Sequence, residues 1–503
     1  MLLRPLLQVL CTVILVGAAQ AQTDTLAGYY ARGITAAELR GHLEVLASDS
    51  FMGRDTGKPG QKMAAAYLKK HFATLGIAPI PAPYSDKVVE GYFQQYELIE
   101  ERAGGLTIQH QGKVLGLLSG LVYFNEVLNG VRSVQEVIWL GDGKVLPPGM
   151  DLTNKVVLLD GTRMGKGAAV LGPLRATLEP VRRAGAAVII LSVPEFGGLV
   201  DQVHADGSRL SLAYEANSTA PKQGGQLIIV EEPTAKAMVG VRSLRKLRRK
   251  KIGRELATNF VISAQANGST INAENVLAYI EGTDKKDEVV VLTAHYDHIG
   301  VENGVVYNGA DDDGSGTVAL LEIAEAFAQA RAEGNGPRRS VLIMPVSGEE
   351  KGLLGSKYYS DHPVFPLENT VADLNIDMIG RTDSAHATSA PYVYVIGSDR
   401  LSSGLHAANE LANGSVGLEL DYTFNAESDP NRFYYRSDHY NFARKGVPSI
   451  FYFSGVHEDY HQPGDDVEKI RFDLLRQRAE LVFRTAWILA NQETRIAVDK
   501  NAK

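Results

Sequence analysis

In the second half of this chain, short apolar runs alternate with longer segments of helical spacing. VVVLTA, VLIMPV, the LNI before Asp377 and SIFYF are strand-like: few residues, rich in β-branched and aromatic side chains, and ended by glycine or polar residues. Between them, GSGTVALLEIAEAFAQA places Leu320, Ile323, Ala324 and Phe327 at i, i+3, i+4 and i+7, the stripe of an amphipathic helix, and FDLLRQRAELVFRTAWILAN is another helix. Strand–helix alternation of this kind predicts an α/β fold, a three-layer α/β/α domain around a central mixed, mostly parallel sheet.

Nearer the amino terminus, ITAAELRGHLEVLASD sets a capping box, Thr35 to Glu38, ahead of apolar helical spacing, and GQKMAAAYLKKHFATLG predicts a second helix stopped by Gly76. From about Leu117 to Leu256 the texture changes. VQEVIWLGD, KVVLLDG, AAVIILS and QLIIVEE are short β-runs, with LRATLEPVRRAG a helix among them. A chain of 503 residues is too long for one ordinary domain. We therefore read 117–256 as an inserted β-rich domain, with 22–116 and 257–503 as the two parts of the main domain. The insert ends in RSLRKLRRKKIGR, eight basic residues between Arg242 and Arg254. Leu244, Leu247 and Ile252 are spaced like one buried helical face, which leaves those charges solvated rather than gathered on a partner.

Residues 1–21 combine one Arg, an apolar core and an A-x-A ending at Ala21, the layout of a cleavable export signal whose apolar core is too short to favour a membrane span. The expected location is periplasmic or secreted, with no stable membrane span after cleavage. Cys11, the sole cysteine, lies inside that segment, so the processed chain is expected to carry neither a disulfide nor a nucleophilic thiol. A net charge of −8 gives nucleic acid no global attraction. Any metal must then be held by His and carboxylate groups, a donor set open to zinc, cobalt or manganese.

The strand ends carry such groups. His295 follows VVVLTA with Asp297 two residues on; extended geometry would put both on one side, letting Asp297 hold the far nitrogen of His295. Asp311, Asp312 and Asp313 precede GSG at a helix start. Capping explains one aspartate but not three, and spacing leaves open which would bridge two cations. Glu349 and Glu350 end VLIMPVSG; neighbours in extended chain point apart, which favours one metal ligand and one general base. Asp377 interrupts the apolar run LNIDMIG, and a buried carboxylate of that kind needs a cation. His457 and His461 bracket a turn, with nothing local to choose between them. Acidic and imidazole groups gathered at one sheet edge imply a pair of divalent cations and metal-assisted hydrolysis.

Together HYD, GADDDGSG, GEEKGLLGS, DMIG and YHQPGD resemble, in order, the signature blocks of the co-catalytic zinc aminopeptidase family (peptidase family M28). ITAAELRGHLEVLASDSFMGRDTGKPG is similar to the amino-terminal helix and loop of exported members, and RSDHYNFARKGVPSI to their S-D-H segment. DLTNKVVLLDG and VRRAGAAVIIL resemble a protease-associated (PA) domain. The resemblance implies two Zn²⁺: His295, Asp312 and Asp377 on one, Asp312, Glu350 and His461 on the other, with Glu349 as general base and Asp297 behind His295. It places Tyr435, Ser437, Asp438 and His439 near the substrate pocket. Two zinc ions against Asp312, Asp377, Glu350 and a hydroxide make a neutral cluster, which makes burial tolerable.

The implied activity is removal of amino-terminal residues from peptides with a free amino group. A carboxypeptidase or dipeptidase of the same fold, a glutaminyl cyclase-like acyltransferase and a non-catalytic binding module are the rival readings. The first needs cationic residues for a substrate carboxylate, which the sequence does not place.

Overall fold

The computed structural model describes residues 25–500 apart from 103–104, 124–127, 129, 201–207, 217–224, 248–250 and 266. The export signal expected over 1–21, with Cys11, lies outside the described residues. The first capped helix is Ala36–Leu46 (α1), where the Thr35 hydroxyl accepts the Glu38 N–H at 3.1 Å. Its box is not reciprocal: the Thr35 N–H turns to Glu322 at 3.4 Å, while the Thr35 hydroxyl donates to the Glu38 carboxylate. Pro59–Thr74 (α2) opens with proline, whose missing N–H costs nothing in a first turn, and stops before Gly76 at φ +73°.

One compact unit is Glu97–Ile271, and the other is the chain on either side of it. Within the first, eight strands close into a barrel, ordered Arg254–Ala264, Leu106–His110, Lys113–Leu117, Gly120–Val122, Gln226–Glu231, Val188–Val193, Val156–Asp160 and Gly130–Trp139. The expected limits of 117 and 256 are too narrow. Leu106, Ile108, Phe260 and Ile262 lie beyond them, yet they share one buried core with Leu158, Ile190 and Ile228. The basic segment includes a single turn, Leu244–Leu247, whose two leucines face that core, before the chain enters the Arg254 strand.

The other unit is mixed α/β. Its sheet contains Ala278–Ile280 (β1), Lys285–His295 (β2), Arg339–Val346 (β3), Thr370–Ile376 (β4), Tyr392–Ile396 (β5), Glu419–Asp421 (β6) and Ser449–Phe453 (β7), in the order β1-β3-β2-β4-β7-β5-β6. The four central strands, β3, β2, β4 and β7, are mutually parallel. Flanking helices are Gly316–Ala332 (α3), Leu354–Asp361 (α4), Ser403–Asn413 (α5), His439–Ala443 (α6) and Phe472–Asn491 (α7).

Alternation along β2 sorts its side chains. Val290, Leu292 and Ala294 join Leu39, Leu68, Phe327 and Trp487 of α1, α2, α3 and α7. Val289 and Val291 join Leu342, Met344, Tyr359 of α4 and Phe442 of α6. The helix α3 departs from its expected amphipathic pattern: every residue from Gly316 to Ala324 is buried, Glu322 included, because α1, α2 and α7 enclose the side that the sheet does not. Parallel direction brings the carboxyl ends of β2, β3, β4 and β7 to one edge. His295 closes β2, Glu349 and Glu350 follow β3, Asp377 follows β4, and His457 and His461 follow β7.

Candidate metal centre

Asp312 is the hinge of the site. Its Oδ1 lies 3.3 Å from His295 Nε2 and its Oδ2 lies 3.2 Å from His461 Nε2. On the first side His295 Nε2 is also 3.6 Å from Asp377 Oδ1; on the second, His461 Nε2 is 3.2 Å from Glu350 Oε2. Glu349 stands beside the first group, with Oε2 4.0 Å from His295 Nε2. Each of these side chains is largely buried except that of His461, which is 39% exposed.

The flanking aspartates do different work. Asp313 accepts N–H groups from His295 at 3.2 Å, Gly316 at 2.9 Å and Met378 at 3.0 Å, tying β2, the start of α3 and the residue after Asp377 together. Asp311 accepts the Gly380 N–H at 2.6 Å, and its second oxygen faces His457 Nε2 at 3.2 Å. His457 therefore buttresses the aspartate loop, while His461 faces Asp312 and Glu350. Just before the triplet, Gly309 at φ +57° lets the backbone pass where a Cβ would lie 2.3 Å from the Asp312 carbonyl and 2.5 Å from the His298 ring.

Glu349 and Glu350 sit in a turn beyond β3, entered through Gly348 at φ +76°, rather than in the extended chain their spacing suggests. The turn still sends them to different groups. Asp297 departs further from its expected role. Its backbone carbonyl, at 3.1 Å, meets His295 Nδ1, while its carboxylate is 3.8 Å away and accepts Thr56 Oγ1 at 2.6 Å and the Glu349 N–H at 3.3 Å. The chain bends immediately after β2, so the side-to-side register of an extended strand does not apply.

Two buried groups went unread in the sequence. His298 Nδ1 approaches Glu350 Oε1 at 2.9 Å, the oxygen turned away from His461. Ligand atoms of His298, Asp312 and Glu350 lie within 4.8 Å of one another, as do those of His295, Glu349 and Asp377. The only signal was its place, three residues after His295. Arg54 is the other: its guanidinium donates to the carbonyls of Leu46, Tyr296, Asn308 and Gly309 at 2.7–2.9 Å, from a residue 1% exposed. Nothing in FMGRDTG announces that role.

The cleft is lined by His295, Asp312, Glu349, Asp377 and His461 with Met378, Phe433, Arg436, Phe451, Phe453, Val456 and Tyr460. The four residues expected near the pocket are not its lining. Ser437 lies behind the site and donates to Asp377 Oδ2 at 2.6 Å; Asp438 is buried and accepts the Ser356 hydroxyl. His439 is buried against Phe451, and Tyr435 is exposed beneath Arg432. They share a segment with Phe433 and Arg436, but the turn at Phe433–Tyr435 and the short α6 face them elsewhere.

Electrostatics follow the packing. Burial alone would lower the His295 imidazole, but Glu349, Asp377 and Asp312 reverse that and hold it well above its ordinary range. His461 is raised to about 10 against the effect of burial, by Asp312 and Glu350. Glu350 is held down to about 2: burial and Asp312 push up, but His298 and His461 outweigh them. Glu349, without such partners, is pushed well up by burial, with Glu350 and Asp377 adding to it and His295 opposing.

The donor set suits borderline cations. Two ligands of one tetrahedral zinc, with bonds of about 2.0–2.1 Å, stand about 3.3 Å apart; the 3.2–3.6 Å from His295 to Asp312 and Asp377 and from His461 to Asp312 and Glu350 match that. Asp312 Oδ2 is buried and accepts no hydrogen bond among the described residues, an orphan that a cation would satisfy.

Residues 275–486 match the model of peptidase family M28. The chain matches this family's model over that segment, which is less than half of its length. Over 258 residues it is 30% identical to a probable zinc metalloprotease of Pyrenophora tritici-repentis, covering 44% of this chain and 52% of that protein. Over 217 residues it is 28% identical to aminopeptidase YwaD of Bacillus subtilis, covering 42% and 43%. The chain thus spans about half the length of the curated relatives it matches. An aminopeptidase from Aneurinibacillus sp. strain AM-1 shares the fold, with a TM-score of 0.56 at 17% identity over 94% of this chain and 98% of that one. The M28 segment holds His295, Asp312, Glu349, Glu350, Asp377 and His461, while Arg54 lies outside it.

Proposed function

We propose that this protein is a zinc-dependent exopeptidase, an aminopeptidase that holds two zinc ions per chain, on His295, Asp312 and Asp377 and on Asp312, Glu350 and His461. The observation that carries this reading is the sharing of Asp312 between two ligand groups with Glu349 alongside. The match of residues 275–486 to the family M28 model and the printed names of the metalloprotease and aminopeptidase relatives support it. Zinc at these ligands would supply Lewis acidity towards a peptide carbonyl and lower the pKa of an attacking water.

The chain's own residues do the rest. Glu349, raised by burial and facing the cleft, takes the proton of the water and hands it to the leaving amine. Asp297 orients Glu349 by accepting its N–H, and also supplies the carbonyl that fixes the His295 ring. Ser437 holds the second oxygen of Asp377. The apolar wall of Met378, Phe433, Phe451 and Phe453 receives substrate side chains and sheds water.

On the same footing, the sheet with helices on both faces is a three-layer α/β/α domain, the Glu97–Ile271 barrel is a PA-like insert, and 1–21 directs export to the periplasm or medium. Free and N-acetylated aminoacyl p-nitroanilides, assayed with and without chelator, test the activity. Hydrolysis of the free compounds alone, lost on chelation, is expected; equal hydrolysis of both or indifference to chelator overturns it.

A further inference from the structure

One cation lines the cleft without serving the ligand cluster. Arg436 shares the lining with Asp377 and His461, and no carboxylate lies within ion-pair range of it among the described residues. Its neighbours differ: Arg381 pairs with Asp459 at 3.2 Å and Arg400 with Glu427 at 3.8 Å. The Arg436 guanidinium is instead seated 4.8 Å from the centre of the Phe433 ring, with Nη2 donating to Tyr460 Oη at 3.3 Å. Tyr460 in turn stacks on His461, ring centres 3.9 Å apart. The backbone is equally well placed, because the next residue, Ser437, grips Asp377.

A planar guanidinium stacked on an aromatic ring keeps N–H groups free at its edge, and the group that edge recognises is a carboxylate, bound through two parallel hydrogen bonds. Resting on the peptidase reading above, we propose that Arg436 is a specificity-determining residue that selects substrates carrying a carboxylate close to the scissile bond. That carboxylate comes either from the free carboxyl terminus of a very short peptide or from an acidic side chain. Either would meet the one unpaired cation in a cleft whose other charged groups are occupied with each other.

Two matched pairs separate the sources: Leu-Leu against its carboxyl-terminal amide, and Glu-p-nitroanilide against Gln-p-nitroanilide. In the zinc-loaded full chain, the carboxylate-bearing member of at least one pair is expected to have a kcat/KM about tenfold higher, mainly through KM, the scale of one charge-assisted contact. R436Q should bring that ratio close to one and R436K should restore part of it, with circular dichroism unchanged for this exposed residue. A preference in the first pair assigns the terminal carboxylate and in the second the side chain. Equal rates within both wild-type pairs, or a preference that survives in R436Q, overturns the proposal. Calorimetric binding of the same four compounds to zinc-loaded E349Q, with and without R436Q, makes the comparison without turnover. An inert wild-type enzyme would then sink the peptidase reading, while the binding ratios still decide Arg436.

Discussion

Asp465 accepts the backbone N–H of Asp312 at 3.0 Å, and its two oxygens also take the N–H of Asp311 at 3.0 and 3.1 Å. A residue some 150 positions further along the chain thereby holds the peptide units of the aspartate that both ligand groups share. Asp465 grips only the backbone N–H of Asp312 and not its carboxylate, so its effect should appear as metal affinity rather than as a change of chemistry.

Replacing Asp465 with Ala leaves two buried N–H groups unpaired and lets the Asp311–Asp313 loop relax. Zinc affinity is expected to fall about 10–100-fold, as for other residues that orient ligands from behind. Competition with a chromogenic chelator measures it. D465N, which keeps one acceptor oxygen, should fall between the two; affinity unchanged in D465A would show that the loop holds its shape unaided.

Glu349→Gln retains the size of the side chain and the backbone N–H to Asp297, and it leaves Asp312, Asp377, Glu350 and His461 in place. Its zinc content and melting temperature should match those of the parent. Turnover should drop by about 10²–10⁴-fold, the usual worth of a general acid–base group. A variant of near-parental rate would remove Glu349 from the mechanism.

Elemental analysis of the zinc-loaded chain should return close to two zinc equivalents. His461 is the ligand most open to solvent, so H461A is expected to lose one equivalent preferentially and keep the His295–Asp377 site filled. One tightly held ion in the fully active parent would contradict the shared role of Asp312.

Glu322 should make stability fall with rising pH. It lies 1% exposed in α3, 3.6 Å from His42 Nε2, and accepts the Thr35 N–H. Burial raises it to about 8, and Glu38 adds to the rise; Glu325, also raised by burial, pushes the same way. Burial keeps the facing His42 lowered and sends His71, whose ring lies 4.6 Å from that of His42, down to about 4, so neither offers a fixed positive charge. The folded chain thus holds a proton that the unfolded chain releases near pH 4.5. Stability is lost as pH climbs from about 4.5 to 8, by up to a few kcal/mol. Glu322→Gln should raise the melting temperature at pH 8.5 more than at pH 5; an equal change at both would refute a titrating Glu322.

The strands and the His, Asp and Glu residues at their ends were legible because both signals are local. An apolar run ending in His295 or Asp377 states its own burial and its own conflict, a charge where a charge is costly. The pocket was not legible in the same way. Tyr435 lies between Phe433 and Arg436, and Ser437, Asp438 and His439 follow directly after them; which residue of this segment faces the cleft depends on a turn whose rotation no periodicity reports. Asp297 failed for a related reason: the two-residue period holds only while the chain stays extended, and β2 ends at His295.

By itself the sequence determined the α/β alternation, the existence of an insert and the residue types gathered at the strand ends, since hydrophobic period and the chemistry of His, Asp and Glu are properties of short stretches. Spacing left Asp311, Asp312 and Asp313, and His457 and His461, open, and the family resemblance implied Asp312 and His461. Tertiary structure supplies the physical reason by setting Asp312 against His295 and His461 while Asp311 faces His457. Tertiary structure alone decided that Arg54, His298 and Asp465 support the site. Those outcomes depend on which distant backbone N–H groups and carbonyls each side chain meets, and such meetings are set by the packing of parallel strands and not by neighbours in the chain.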